Sequence, residues 1–401
     1  MRVITAMLTC ALLGFGSCAW AQAQDLTTLR QAAQAGEASA QFEIAERLRT
    51  GDGVLQNYAR AAEWYRAAAD QGESRAKNAL GALLISGLGG ETDPEAGFKL
   101  LQQAAEAGEL RHIYDLATAF EQGLGTPVDM SQAVVLLQKA AAGGYGEAQV
   151  SLGVIYHLGT AGSVDIPRAI ALYEGPAQNG HPRALNNLGL IYARGEGVDQ
   201  DYPRAAQLFT LAAERGLSEA MKNLGAMYEN GFGVEVNEEE AKRLYRLAAQ
   251  SSVGASIGAR VANEAAAITY LYDPRLQPAD PAQAATYRQA ATSGDPVAQF
   301  MTGYLLASEP KTTADYREAA QFFAAAAEKG LPVAMANLGL LNFEGKGVLQ
   351  DYVEGYKWLT LAALNGPAGV ITLRDALAQR MTADQINAAN TLAEAYMSDA
   401  R

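Results

Sequence analysis

Apolar residues recur along this chain at helical spacing, in two short bursts per 36 residues. In PRALNNLGLIYARG, residues 182–195, Ala184, Leu188, Gly189 and Tyr192 fall on one helical face. In YPRAAQLFTLAAERG, residues 202–216, Ala205, Leu208, Phe209, Ala212 and Ala213 form a second stripe. Each burst ends at glycine, which accepts the left-handed backbone that closes a helix. Gly36, Gly72, Gly108, Gly144, Gly180 and Gly216 are each 36 residues apart, and Gly51, Gly87, Gly123, Gly159, Gly195 and Gly231 keep the same period. The next step of the first series lands on Ser252, and the series resumes 42 residues later at Gly294, Gly330 and Gly366. The pattern predicts a chain of two-helix units. A unit of this size cannot bury its apolar face alone, so stacked neighbours must share one continuous core. Aromatic residues at one phase, Tyr65, Tyr173, Phe209, Tyr245, Tyr287 and Phe323, are expected to fill the gaps between units.

The unit ALNNLGLIYARGEGVDQDYPRAAQLFTLAAERG resembles the Sel-one-like repeat, a relative of the tetratricopeptide repeats. The units ending at Gly72, Gly216 and Gly366 match closely, as does AMKNLGAMYENGFGVEVNEEEAKRLYRLAAQ. The resemblance implies an all-α fold: a right-handed α-solenoid of about nine helix-turn-helix units with a concave binding surface. The expected organisation is a leader over 1–23, a first array over 24–254, a degenerate repeat over 255–294, further repeats over 295–367 and capping helices over 368–401. Some units depart from the pattern. His112 and Asn342 replace the usual Ala and Tyr, and SEPKTT stands where Gly-x-Gly is expected. Residues 253–280 include YLYDPRLQPADP and read as a joint or as a unit with a longer loop; AATYRQAATSG restores the second-helix pattern after it. Near the end, Thr382 with Gln385 three residues later predicts a capping box for a last helix that covers the end of the array.

The loop GEGVDQD, residues 195–201, invites a chemical reading. A phosphate cradle is excluded because Asp199 and Asp201 would repel the anion and no strand precedes it. Calcium would need several ligands. The column of Asp201 is always Asp or Asn: Asn57, Asp93, Asp129, Asp165, Asn237, Asp315 and Asp351. The column of Asp199 holds Leu55, Pro127 and Leu349 among others. One Asp or Asn before each second helix is the preferred N-cap, and capping explains the column without a metal.

Another column lies just before the Leu-Gly pair on the first helices; it holds Glu43, Ala79 and Met301, and as candidates for binding a partner Asp115, Ser151, Asn187, Asn223 and Asn337. The resemblance places it on the concave surface, where tetratricopeptide asparagines hold the backbone of a bound peptide. The alternative is that these side chains bond the neighbouring unit. Both readings stay open for a protein or peptide partner.

Charge and cysteine content narrow the function. The net charge of −13 disfavours nucleic acid and anionic membrane surfaces. The opening MRVITAMLTCALLGFGSCAWAQAQ has the layout of a secretory signal peptide, with cleavage expected near Ala21 or Ala23 and export to the periplasm or beyond. Cys10 and Cys18, the two cysteines, both lie in it. Phe15 stands where a lipoprotein signal has Leu, which argues against a lipid anchor at Cys18. No later apolar run is long enough to span a bilayer. His112, His157 and His181 fall at three repeat phases, and no metal or other cofactor is expected. The resemblance implies a non-catalytic interaction scaffold or adaptor in the cell envelope, regulating a complex or a signalling receptor. A glycan- or peptidoglycan-binding module is the alternative. A β-lactamase-like enzyme is a weaker one, because the family members linked to that activity rely on a disulfide in each repeat.

Overall fold

The computed structural model describes residues 26–251, 270–367 and 369–399. The expected leader over 1–23 and the stretch 253–269 of the expected degenerate segment lie outside the described residues. Among the described residues the chain is all-helical, in paired helices joined by short loops. It divides into two compact units. The central unit is Asp93–Ala266, and the terminal unit joins Met1–Thr92 to Ala267–Arg401. The terminal unit thus takes helices from both ends of the chain.

Each repeat is held by the same few devices. In four repeats the glycine at the Leu-Gly position of the first helix lies under an aromatic ring of the second helix, 20 residues on; over Gly339 Leu359 takes the place of the ring. A Cβ at Gly153 would stand 2.5 Å from Tyr173, and one at Gly189 would stand 2.6 Å from Phe209. Gly225 under Tyr245 and Gly303 under Phe323 repeat the arrangement. Around one such pair, Val150, Ala169, Tyr173, Ala184, Leu188, Ile191, Ala212 and Ala220 pack into a single buried cluster that crosses repeat boundaries. The core is therefore shared between repeats, as stacking requires.

The Gly-x-Gly loops lock one repeat onto the one before it. The first glycine closes the first helix at left-handed φ, 69° at Gly195. In four loops the second glycine, Gly125, Gly197, Gly233 or Gly347, also has positive φ and presses on the preceding repeat: a Cβ at Gly125 would stand 1.9 Å from the carbonyl oxygen of Pro94. The second helix then starts from its cap. The side chains of Asn57, Asp93, Asp129, Asp165, Asp201, Asn237 and Asp351 each accept from the backbone N–H three residues on. Asp315 does not act as an N-cap. The SEPKTT loop lets its helix, Thr313–Glu328, begin earlier, with Thr312 as the N-cap. Asp315 is the third residue of that helix and accepts from the backbone N–H groups of Lys311 and Thr312.

In the terminal unit the last helices bind the first repeats. The Tyr356 hydroxyl donates to Gln56 Oε1 at 2.8 Å. The buried Arg374 guanidinium donates to the Thr50 carbonyl at 2.9 Å, and Asn387 Nδ2 to the Gly87 carbonyl at 3.1 Å. Thr382 and Gln385 form both bonds of a capping box at the start of Ala383–Asp399. This helix buries Ile386, Ala389 and Ala393, and its Tyr396 ring meets Trp358 edge-on.

Burial sets a pH limit. It pushes the phenols of Tyr65, Tyr270 and Tyr356 well up, and that of Tyr173 up to about 12. A tyrosine in the unfolded chain ionises near pH 10. Stability from these groups is complete below that pH and falls as pH rises towards the folded values. The expected loss is about 1.4 kcal/mol per pH unit for each shielded tyrosine. Denaturant melts from pH 9 to 12, followed with phenolate absorbance, should show unfolding and ionisation together; free titration of every tyrosine near pH 10 in the folded protein would contradict it.

Candidate groove on the first helices

The polar column falls on the first helix of successive repeats. In the central unit Asp115 sits on Leu110–Gln122, Ser151 on Gly146–Leu158, Asn187 on Pro182–Arg194 and Asn223 on Ser218–Asn230. All four are partly exposed. Asp115 stands 4.0 Å from Arg111, and Ser151 Oγ is 3.5 Å from the Tyr114 hydroxyl. Asn223 Nδ2 donates to Asn186 Oδ1 at 2.9 Å, across the repeat boundary. Asn186, buried, donates in turn to Asn187 Oδ1 at 3.5 Å. Here the column bonds the neighbouring repeat, one of the two readings left open by the sequence.

Asn337, in the terminal unit, bonds a non-helical segment of the same chain. It lies fully buried on the helix Pro332–Glu344. Its Oδ1 accepts the Leu271 N–H at 2.7 Å, and its Nδ2 donates to the Leu271 carbonyl at 2.8 Å. One amide thus takes both backbone groups of a single residue. That requires the N–H and C=O of Leu271 to point the same way, as they do in extended backbone. Residues 270–273 are non-helical and lie against the last two first helices. The Tyr272 ring packs against Phe300 and Tyr304, with centroids 5.5 and 4.9 Å away, and its hydroxyl meets Met301 Sδ at 2.9 Å. Met301 occupies the column position of Asn337 one repeat earlier. Tyr270 is buried beside Phe323. Asp273 is buried and paired to Arg275 at 2.6 Å, and Arg275 also reaches the Asn365 carbonyl. The turn that follows, closed by Leu276 N–H to the Asp273 carbonyl, has Asp and Pro where such turns favour them.

Leu271 and its neighbours were not legible as an occupant. The signal was the non-periodic, Pro- and Tyr-rich YLYDPRLQPADP, which marks a break but not what it binds. The expected second-helix pattern after it is seen in the helix Ala284–Thr292.

The histidines serve the frame. His157 Nε2 meets Glu196 Oε2 at 2.6 Å, tying one repeat to the Gly-x-Gly loop of the next. Burial pulls the Glu196 carboxyl up, but hydrogen bonds from His157 and Arg194 outweigh it and hold the group below the usual range. His181 pairs with Glu147 at 3.0 Å, and the buried His112 lies 3.6 Å from Glu109. Among the described residues no three His, Cys, Asp or Glu side chains stand together as a metal site. No helix among them is long and apolar enough to cross a membrane. Ser74–Lys77 and Ser308–Lys311 have the Ser-x-x-Lys spacing of serine acylases, but the sequence lacks the Ser-Asp-Asn and Lys-Thr-Gly stretches that complete such a site.

The Sel1 repeat profile matches residues 38–73, 74–109, 113–145, 146–180, 182–217, 218–253, 296–331 and 332–367. The chain belongs to the Sel1 repeat family. Sel1 repeats generally mediate protein–protein interaction. The third match begins just after His112, the residue that breaks the Ala position. Among solved structures, the chain is similar to c5321, a protective antigen of uropathogenic Escherichia coli strains with an SLR fold: 25% identity, TM-score 0.51, 93% of this chain and 94% of that one. It is also similar to a Sel1 repeat protein from Oxalobacter formigenes: 27% identity, TM-score 0.50, 56% of this chain and 94% of that one. Among curated proteins it is similar to the chitin synthase regulator SKT5 of Saccharomyces cerevisiae, 41% identical over 81 residues. That match spans 20% of this chain and 12% of the yeast protein's length.

Proposed function

We propose that this Sel1 protein is a non-catalytic scaffold or adaptor in the bacterial periplasm, where it regulates an envelope complex or receptor by docking an extended segment of a partner protein. The observation that carries this reading is the grip of Asn337 on both backbone groups of Leu271. It supports a role in backbone binding for the same column on the central unit, where Asp115, Ser151, Asn187 and Asn223 are accessible. Backbone contacts of this kind supply affinity, while side-chain pockets supply specificity. The leader-like residues 1–23 support export. The yeast relative's role as a regulator fits control of a partner rather than catalysis.

The test is a photo-crosslinking amino acid placed at Asn187 or Asn223, with the exposed Gln132 as control. The groove positions should trap one defined protein in the periplasmic fraction, and the Asn187→Ala/Asn223→Ala variant should capture it at least ~10-fold less well while melting normally. The recovered chain should begin at Gln22 or Gln24. Equal trapping from all three positions, or a protein retained in the cytoplasm with its leader intact, would count against the reading.

A further inference from the structure

The segment 270–273 fills a groove built on the helices Pro296–Ser308 and Pro332–Glu344. Its fit has three separate parts. Asn337 fixes the backbone at Leu271. Phe300, Met301 and Tyr304 receive Tyr272, while Tyr270 goes to Phe323. Arg275, paired to the segment's own Asp273, donates to the Asn365 carbonyl. These are the components of peptide recognition: main-chain bonds plus pockets for alternate side chains. The helical repeats do not need such a segment for their own pairing, because each hairpin already closes its backbone bonds internally. The segment also breaks the 36-residue period, so it is an addition to the repeat pattern.

We propose that this groove is a docking site for an extended peptide of aromatic–aliphatic–aromatic order, and that residues 270–273 hold it in cis until a partner segment of that chemistry displaces them. The proposal rests on the scaffold reading above and adds the partner's chemistry and its regulation. A tethered occupant competes at an effective concentration near the millimolar range, so a free ligand meets an occupied groove. Its apparent affinity is reduced by the fraction of molecules with the groove open.

The test uses the full chain and a labelled peptide of residues 270–277, YLYDPRLQ, followed by fluorescence anisotropy. In the variant Tyr270→Ala/Tyr272→Ala the resident segment loses its anchors and the groove keeps its own residues. The peptide should bind this variant about 100-fold more tightly than the natural chain. Adding Asn337→Ala should weaken that binding at least ~10-fold. Equal affinity for the natural and variant chains, or no binding to a folded variant, overturns the proposal. If the variant does not fold, hydrogen exchange on the natural chain decides. Millimolar peptide should speed exchange of the Leu271 amide about 10-fold; an unchanged rate means that the segment is a permanent part of the core. Either failure leaves crosslinking at Asn187 and Asn223 intact as the separate test of the scaffold reading.

Discussion

Gly125→Ala is expected to destabilise the central unit by about 2–5 kcal/mol. Two costs add at this position. Gly125 has a φ of 70°, which disfavours any residue with a Cβ by about 1–2 kcal/mol. The new methyl would also stand 1.9 Å from the Pro94 carbonyl oxygen, a backbone atom that opens the second helix of the preceding repeat. Relief requires one repeat to move away from the other, and such overpacking costs about 1–3 kcal/mol more. Gly53→Ala isolates the first cost. Gly53 has a φ of 67° with nothing within 4 Å of its Cβ position, so a loss of about 1–2 kcal/mol is expected. Urea melts followed by circular dichroism measure both, and equal losses for the two variants would show that the loop does not brace its neighbour.

Tyr356→Ala is expected to cost the terminal unit about 3–5 kcal/mol. The side chain is fully buried, so its removal leaves a cavity among packed helices. Its hydroxyl is also the donor to Gln56, a buried partner 300 residues away in the chain. Tyr356→Phe keeps the ring and removes only that bond, for an expected loss of about 1–2 kcal/mol. Tryptophan fluorescence reads this unit directly. Trp64 and Trp358 both lie in it, and the third tryptophan, Trp20, lies outside the described residues. The melt should move in fluorescence for both Tyr356 variants, whereas Gly125→Ala should move the dichroism signal with little change in fluorescence. A Tyr356→Ala melt coincident with that of the natural chain would show that the two chain ends do not depend on each other.

The repeat was legible because its devices are local. Gly189 and Phe209 lie 20 residues apart, Asp201 and Arg204 three apart, and each appears again one period later. Asp315 shows where column reading fails: its side chain could cap a helix, but Thr312 upstream offered an earlier start. The bonds that set the terminal unit apart are single events between distant residues, such as Arg374 with Thr50. They have no periodic signature and cannot be read from the repeat pattern. Asn337 stood in a visible column, yet its partner Leu271 lay in the one stretch with no repeat to compare it with. The sequence could offer peptide binding and inter-repeat bonding as alternatives for that column; Asn223 bonds the neighbouring repeat, and Asn337 bonds a non-helical segment of its own chain.

A unit made from both chain ends imposes an order on synthesis. The central repeats depend on neighbours 36 residues away and can close as they emerge. Thr50, Gln56 and Gly87 must wait for Arg374, Tyr356 and Asn387. At about 5–20 residues per second that interval lasts about 15–60 s. During it the hydrogen bonds that tie the first two repeats to the last helices stay unmade, which makes this stretch the last part of the chain to reach its final contacts.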